Sequence, residues 1–577
     1  MSINPLNPKQ MTRLQQSIEW SNRQLRFPRE KRVEAIKLFA GFHYDKEGTI
    51  KRIPVNMLAM AVMIYVRLLA PRAPRALFTT RVASQKATAA NMELAVNLIP
   101  EEIKLGGTLQ RMVLEAIFSP WGIVKCGLHT VGQAAGHTYG ESFVDNVTFD
   151  DYFVDMNAKN MDQIDYEGND YWLDYDEVME SEWSEKKSLG DLKPDEYSTR
   201  GVEGEERAET TPYEGNNETF KDKLWVRDIW LPAEEMLLTY AIRSKKILNV
   251  IEWEGPDRGP YYKLGFANVP GKLMPLPSVG LWRDLHELGN SLFRKLDNQA
   301  EGQKSVVGFQ GGNGESAENF RNAQDQDGIT YSGPKPELLA TPGVDQKTLA
   351  FFMQVQQLQS HYAGNLDSLG GLAPQTGTVG QDKLIAEAAG AQLRDMSAKT
   401  VDVTRDIFQA LAYYEWNDPI KRRTLEKPLP GSDVKIPVDF SRGSKKGKLD
   451  SYNLDIDVHS MQDDSPTLKL QKLGMAVQQY VIPFAPMIEA AGGIIDVQAI
   501  LRNVARYADL PELAEIVTFT DMDPVAGSSA ESGGKPANTT RTYERVSSPG
   551  QTPRGASQNM QQILMGGDPG GADPASS

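Results

Sequence analysis

Apolar residues recur at helical spacing along much of the chain, most fully in the stretch 275–416. Pro275-Leu-Pro277 cannot continue a helix from upstream, but proline suits a first helical turn. Leu281, Leu285, Leu288, Leu292 and Leu296 then fall at i, i+4, i+7, i+11 and i+15, which predicts an amphipathic helix. Its other face carries Arg283, Asp284, Glu287, Arg294, Lys295 and Asp297. About 22 such residues make a rod roughly 33 Å long. The pattern then breaks into a β-like insert: 305–309 and 328–331, separated by Gly311-Gly-Asn-Gly314 and closed by Pro334-Lys-Pro336. A second stripe, Phe351, Val355, Leu358 and Tyr362, predicts a helix returning along the first. A Gly/Thr-rich loop over 364–381 and a longer helix from about Asp382 to Trp416 complete the stretch.

The flanks are less regular. Two helices are expected at 11–25 and 28–39, with Pro28 opening the second. An apolar run over 55–70, bounded by Pro54 and Pro71, reads as a buried helix. It is shorter than the roughly 20 apolar residues a bilayer needs. Ala76-Leu-Phe78 is a short extended piece, and helices are expected at 83–99 and 108–118. Strands follow over 121–128, 140–150 and 150–155, then an acidic helix over 174–187 and a charged surface loop over 188–222. Runs at 224–230, 247–253, 434–438 and 454–458 read as strands. A helical C-terminal region is expected at 467–480, 487–491 and 496–507, followed by a disordered tail beyond 519.

At 577 residues the chain needs more than one core. Its net charge of −15 argues against a protein that grips DNA by a basic surface, but suits one that lets DNA slide past. The single cysteine, Cys126, excludes an intrachain disulfide and any cysteine-rich zinc site. Its neighbours Ile123, Val124 and Leu128 mark it as a small buried hydrophobe. The opening residues Met-Ser-Ile-Asn-Pro lack the pattern of a secretory signal.

Catalytic signatures are absent from the sequence. Gly443-Ser-Lys-Lys-Gly-Lys-Leu449 has the wrong spacing for a phosphate-binding loop, and the six histidines include no pair at metal-ligand spacing. Acidic pairs occur at Asp150/Asp151/Asp155, Asp325/Asp327, Asp455/Asp457 and Asp463/Asp464, without completing a calcium-loop pattern. No enzyme, cofactor or metal is expected. Two alternatives stay open: a membrane-associated scaffold anchored by 55–70, and a metal-dependent nuclease built on the aspartate pairs.

The order of elements resembles the tailed-phage portal proteins, the head-to-tail connectors. Three groups of residues carry the likeness. The first is Gly122-Ile-Val-Lys-Cys-Gly127 after a helix, followed by Val147-Thr-Phe-Asp-Asp-Tyr-Phe-Val-Asp155. The second is Pro275-Leu-Pro277 leading to Leu285-His-Glu-Leu-Gly-Asn290. The third is Leu366-Asp-Ser-Leu-Gly-Gly371 to Gly377-Thr-Val-Gly380 before a long helix. The resemblance implies an α+β, mainly α fold with wing, stem, clip and crown regions, assembled as a ring of roughly twelve subunits.

Laid on this sequence, it implies an N-terminal helical arm at 1–50, a wing at 51–278 with an insertion at 188–222, and stem helices at 279–302 and 346–362. The clip would be 303–345, the tunnel loop 363–381, the long wing helix and β region 382–464, the crown 465–519 and the tail 520–577. Asn365, Gln375, Thr376, Thr378, Gln381 and Lys383 would line the DNA channel. Gln310, Asn313, Glu315, Arg321 and Lys335 would meet the motor or the tail adaptor. Implied partners are further copies of the chain, the terminase large subunit, tail-adaptor and head-completion proteins, major capsid and scaffolding proteins, and double-stranded DNA read without sequence specificity. The implied location is the virion, with synthesis in the bacterial cytoplasm and no membrane partner.

Overall fold

The computed structural model describes 6–40, 55–70, 74–134, 137–180, 190, 192–197, 220–308, 314–324, 326, 328, 335, 337–340, 343–364, 366, 379–418, 423–428, 435–456, 474–475, 477–490 and 504. The chain divides into two compact units, Met1–Leu468 and Lys469–Ser577. The first is α+β, with several separate antiparallel sheets, none of them closed.

It begins with α1 (Pro8–Ala40), one helix where the sequence predicts two. Pro28 removes a backbone hydrogen bond inside it. The next turn is held from outside instead: Arg29 donates to the carbonyls of Tyr152 at 2.8 Å and Phe149 at 3.4 Å. Helix α2 (Met57–Leu69) starts at Asn56, whose side chain accepts from the Ala59 amide at 2.9 Å. It buries Leu58, Ala61, Val62, Tyr65 and Leu69 and turns Met63 outward. Strand β1 (Ala76–Thr80) pairs with the distant β14 (Tyr452–Ile456), so the short extended piece read from the sequence is an edge that needs the C-terminal half.

Helices α3 (Lys86–Glu102) and α4 (Leu105–Phe118) lead into β2 (Gly122–Ala134), β3 (His137–Val147) and β4 (Tyr152–Val154). Then come β5 (Glu167–Asp174), α5 (Tyr175–Glu180), β6 (Lys223–Leu231), β7 (Met236–Ala241), β8 (Lys246–Glu252) and β9 (Tyr261–Leu264). One sheet has the order β3-β2-β9 and the other β4-β5-β6-β7-β8. β5, β7 and β9 are not among the expected strands. β7 and β9 are buried on nearly every residue, so they lack the alternation that marks a half-exposed strand. Within the expected surface loop at 188–222, Leu192 is buried beside Val178, Leu224 and Val226, and Asp195 bridges to Lys223, so 192–197 is anchored.

A buried polar layer joins the two sheets. Lys125 pairs with Asp228 and Lys263 with Glu167, while Tyr152 donates to Glu167 at 2.5 Å and Tyr261 to Asn169 at 2.7 Å. Matched charges and donors allow these groups to be buried.

The remaining elements are α6 (Ser278–Glu301), β10 (Ser305–Gly308), α7 (Gly314–Asn322), β11 (Glu337–Ala340), α8 (Gln346–Tyr362), α9 (Val379–Asn417), β12 (Arg423–Pro428) and β13 (Lys435–Phe440). The partner of β10 is β11, with Ser305 opposite Ala340 and Gly308 opposite Glu337. Of the β-like segment expected at 328–331, all but Gly328 lies outside the described residues. The long helix starts at Val379, ahead of the expected Asp382, with Gly380 tolerated in its first turn. The largest core gathers α2, α3, α4 and α9 around Tyr65, Met92, Met112, Trp282 and Phe408.

In the second unit a π turn, Val477–Val481, runs into α10 (Ile482–Ala490). The sequence predicts a break over 481–486. Pro483 falls in the first turn of α10, where proline fits, and the helix continues through Pro486. The expectations for 467–473, most of 496–507 and 520–577 lie outside the described residues.

Candidate functional site

The α6–α8 hairpin leaves several large apolar side chains exposed. Pro277, in an extended conformation, precedes α6, whose 24 residues span about 36 Å. Helix α8 is capped by Asp345. Its carboxylate accepts from the Thr348 hydroxyl at 2.8 Å and from the amides of Lys347 and Thr348, each at 3.2 Å. Those bonds, the Thr348 hydroxyl first, hold the Asp345 carboxyl below its usual range. The Asp345 amide donates to the Gln299 side chain at 3.1 Å and ties the two helices together where the insert leaves them.

The helices run antiparallel. Phe293 and Phe352 meet edge to face at 5.4 Å. Gly289 leaves room for the Met57 methyl group and for Val355. Tyr65 of α2 stacks on Trp282 at 5.2 Å and donates to the Ala363 carbonyl at 2.7 Å. The chain leaves α8 at Gly364, with φ +80°, a conformation that glycine adopts without strain. Arg283 bonds Glu34 of α1 at 2.6 Å and Glu287 at 2.7 Å, so the first turns of α6 are also pinned by charge. Hydrogen bonds from Lys31 and Arg283 hold the Glu34 carboxyl below its usual range.

The buried face differs from the expected one. On α6 the inward residues are Val279, Trp282, His286, Gly289, Asn290 and Leu296. Of the predicted leucine stripe only Leu296 is buried, while Leu281 is 53% exposed and Leu288 39%. On α8, Phe352, Val355, Gln359 and Ser360 point inward. Phe351, Met353, Leu358 and Tyr362 stand in solvent, at 46%, 60%, 46% and 65% exposure. Both helices therefore carry an inward face packed on the body and, beside it, a partly exposed apolar stripe. The leucine stripe marks the outer one. The β10–β11 ribbon continues this exposure through Val306, Leu338 and Leu339.

The residues expected to act fall in several places. Glu315 and Arg321 sit exposed on α7, and Lys335 is exposed before β11. Gln310 and Asn313 lie outside the described residues, as do Asn365, Gln375, Thr376 and Thr378. Gln381 and Lys383 fall in the first turns of α9. The structure therefore brings Glu315, Arg321 and Lys335 to the insert between the hairpin helices, and describes no channel lining.

No protein-family model matches the chain, and neither does any curated protein. Among the described residues no group of three His, Cys, Asp or Glu side chains could hold a metal ion. Asp150 is engaged by Arg32 at 2.6 Å, and Asp155 accepts from the Asn157 amide at 3.0 Å. Among the same residues no helix is long and apolar enough to cross a membrane.

Proposed function

We propose that this chain is a phage portal subunit. It would form the ring at one capsid vertex through which double-stranded DNA is packaged by a terminase motor and later ejected, and to which the tail is anchored. The observation that carries this reading is the exposed apolar stripe on each hairpin helix, Leu281 and Leu288 on one and Phe351, Leu358 and Tyr362 on the other. Large apolar side chains left exposed along one pair of helices are the kind of surface that serves an interface. In a ring each copy offers one flank to the neighbour before it and another to the neighbour after it, which is a heterologous contact that closes. Exposed Val306, Leu338 and Leu339 on a two-stranded ribbon fit the same plan, since the ribbon's edges can pair with adjoining copies.

In this reading the insert 303–345 faces the motor and later the tail adaptor, with Glu315, Arg321 and Lys335 on its surface. The loop 363–381 faces DNA. The acidic balance of the chain weakens sticking to phosphates. The motor supplies the ATPase.

The test is a double substitution, Leu288→Glu with Leu358→Glu. Both side chains are exposed in the single chain, so the fold and circular dichroism spectrum stay unchanged. Light scattering is expected to show a large multimer for the natural chain and a single-chain mass for the variant. A variant that assembles as fully as the natural chain contradicts the proposal.

A further inference from the structure

Four side chains at the seat of the hairpin carry polar atoms that no group among the described residues engages. They are Trp282 Nε1, His286 Nδ1 and Asn290 Oδ1 on α6, and both amide atoms of Gln359 on α8. All four residues are deeply buried: Trp282, His286 and Gln359 are each 1% exposed and Asn290 is 7% exposed. A spacing of four sets Trp282, His286 and Asn290 in one row down the inward face of α6. The contacts between the helices place Gln359 beside that row. Phe293 meets Phe352, Gly289 meets Val355, and Tyr65 joins Trp282 to the Ala363 carbonyl. The turn between those last two levels is shared by His286 and Gln359.

The chemistry of the row follows from one bond. Asn290 Nδ2 lies 3.0 Å from His286 Nε2. An amide nitrogen only donates, so in this arrangement Nε2 accepts and the neutral ring carries its proton on Nδ1. Burial favours that neutral ring. The row then offers donors at Trp282 Nε1, His286 Nδ1 and the Gln359 amide nitrogen, and acceptors at Asn290 Oδ1 and Gln359 Oε1. Leaving a buried polar atom unpaired costs about 1–3 kcal/mol, and five such losses would rival the whole stability of a domain. An anion would serve the donors alone and a cation the acceptors alone. Water serves both, with two to four bonds per molecule.

We propose that this row is an internal water site, in which about one or two water molecules held between α6 and α8 bridge Trp282, His286, Asn290 and Gln359. The two helices are then joined partly through water-mediated bonds, beside the apolar packing of Phe293 on Phe352. The site belongs to the single chain and stands apart from the ring reading.

A crystal or electron-microscopy structure at a resolution that shows ordered water tests it directly. At least one water is expected within hydrogen-bond distance of two or more of the five atoms. Direct pairing of those side chains with one another, or a dry gap between them, overturns the proposal. Thermal melting of Gln359→Met gives a second reading, because methionine keeps the length of the side chain and removes both amide atoms. A midpoint equal to or a few degrees below that of the natural chain supports a satisfied site. A higher midpoint overturns it, since only unpaired atoms are better removed. Should Gln359→Met fail to fold, Trp282→Phe keeps a ring against Tyr65, loses the indole N–H and is read in the same way.

Discussion

Arg32 shows how single side chains fix the arm to the body. From α1 it forks onto Glu115 of α4 at 2.7 and 2.9 Å and reaches Asp150 at 2.6 Å. Burial opposes its charge, but Glu115 and then Asp150 more than offset this, so the guanidinium is held more firmly protonated than usual. Arg32→Ala would remove the guanidinium paired with both Glu115 and buried Asp150, and is expected to cost about 3–5 kcal/mol in chemical denaturation. His286 sets a pH dependence. Burial holds its ring below the ordinary value of 6.5, although Glu287 pulls the other way. The folded state therefore binds fewer protons than the unfolded one, and stability from this group is complete above about pH 6.5 and lost as pH falls below it. Between about pH 7 and pH 5.5 the melting midpoint of the natural chain is expected to drop further than that of His286→Gln. Cys126 was legible from its apolar neighbours, and it is buried, with its thiol pushed up by that burial. The Arg32 cluster was not legible, because its three members come from positions far apart in sequence and nothing local marks an arginine as buried.

At the level of elements, packing decides where local pattern is silent. β2 opens at Gly122, where an added Cβ would run into the Met112 carbonyl of α4, so the strand can begin only with glycine at that contact. Gly122→Ala is expected to lower stability by about 1–3 kcal/mol in urea, with α4 and β2 forced apart. Helices with strong periodicity were legible: α3, α4, α6, α8 and α9 all lie where their stripes placed them, within a few residues at the ends. Their facing was not. A leucine stripe marks an apolar face but not which partner covers it, and on α6 the body takes Trp282, His286 and Asn290 instead. α1 passes through Pro28 because contacts from 149–152 support the turn, information that no window around the proline contains.

In the whole molecule, the proposed ring uses for assembly the face that folding leaves over. The single chain buries one side of its hairpin and exposes the other, and a closed ring covers the exposed side without asking for a new partner. Of the positions implied by the portal likeness, Glu315, Arg321 and Lys335 lie exposed on the insert, while Gln381 and Lys383 fall in the first turns of α9. Electron microscopy of the purified chain, with symmetry taken from end-on class averages, tests the claim most directly. The account predicts closed rings of roughly twelve copies around a hole wide enough for duplex DNA. Isolated single chains at concentrations where other assemblies of this interface size hold together, or open filaments without a central channel, would contradict it.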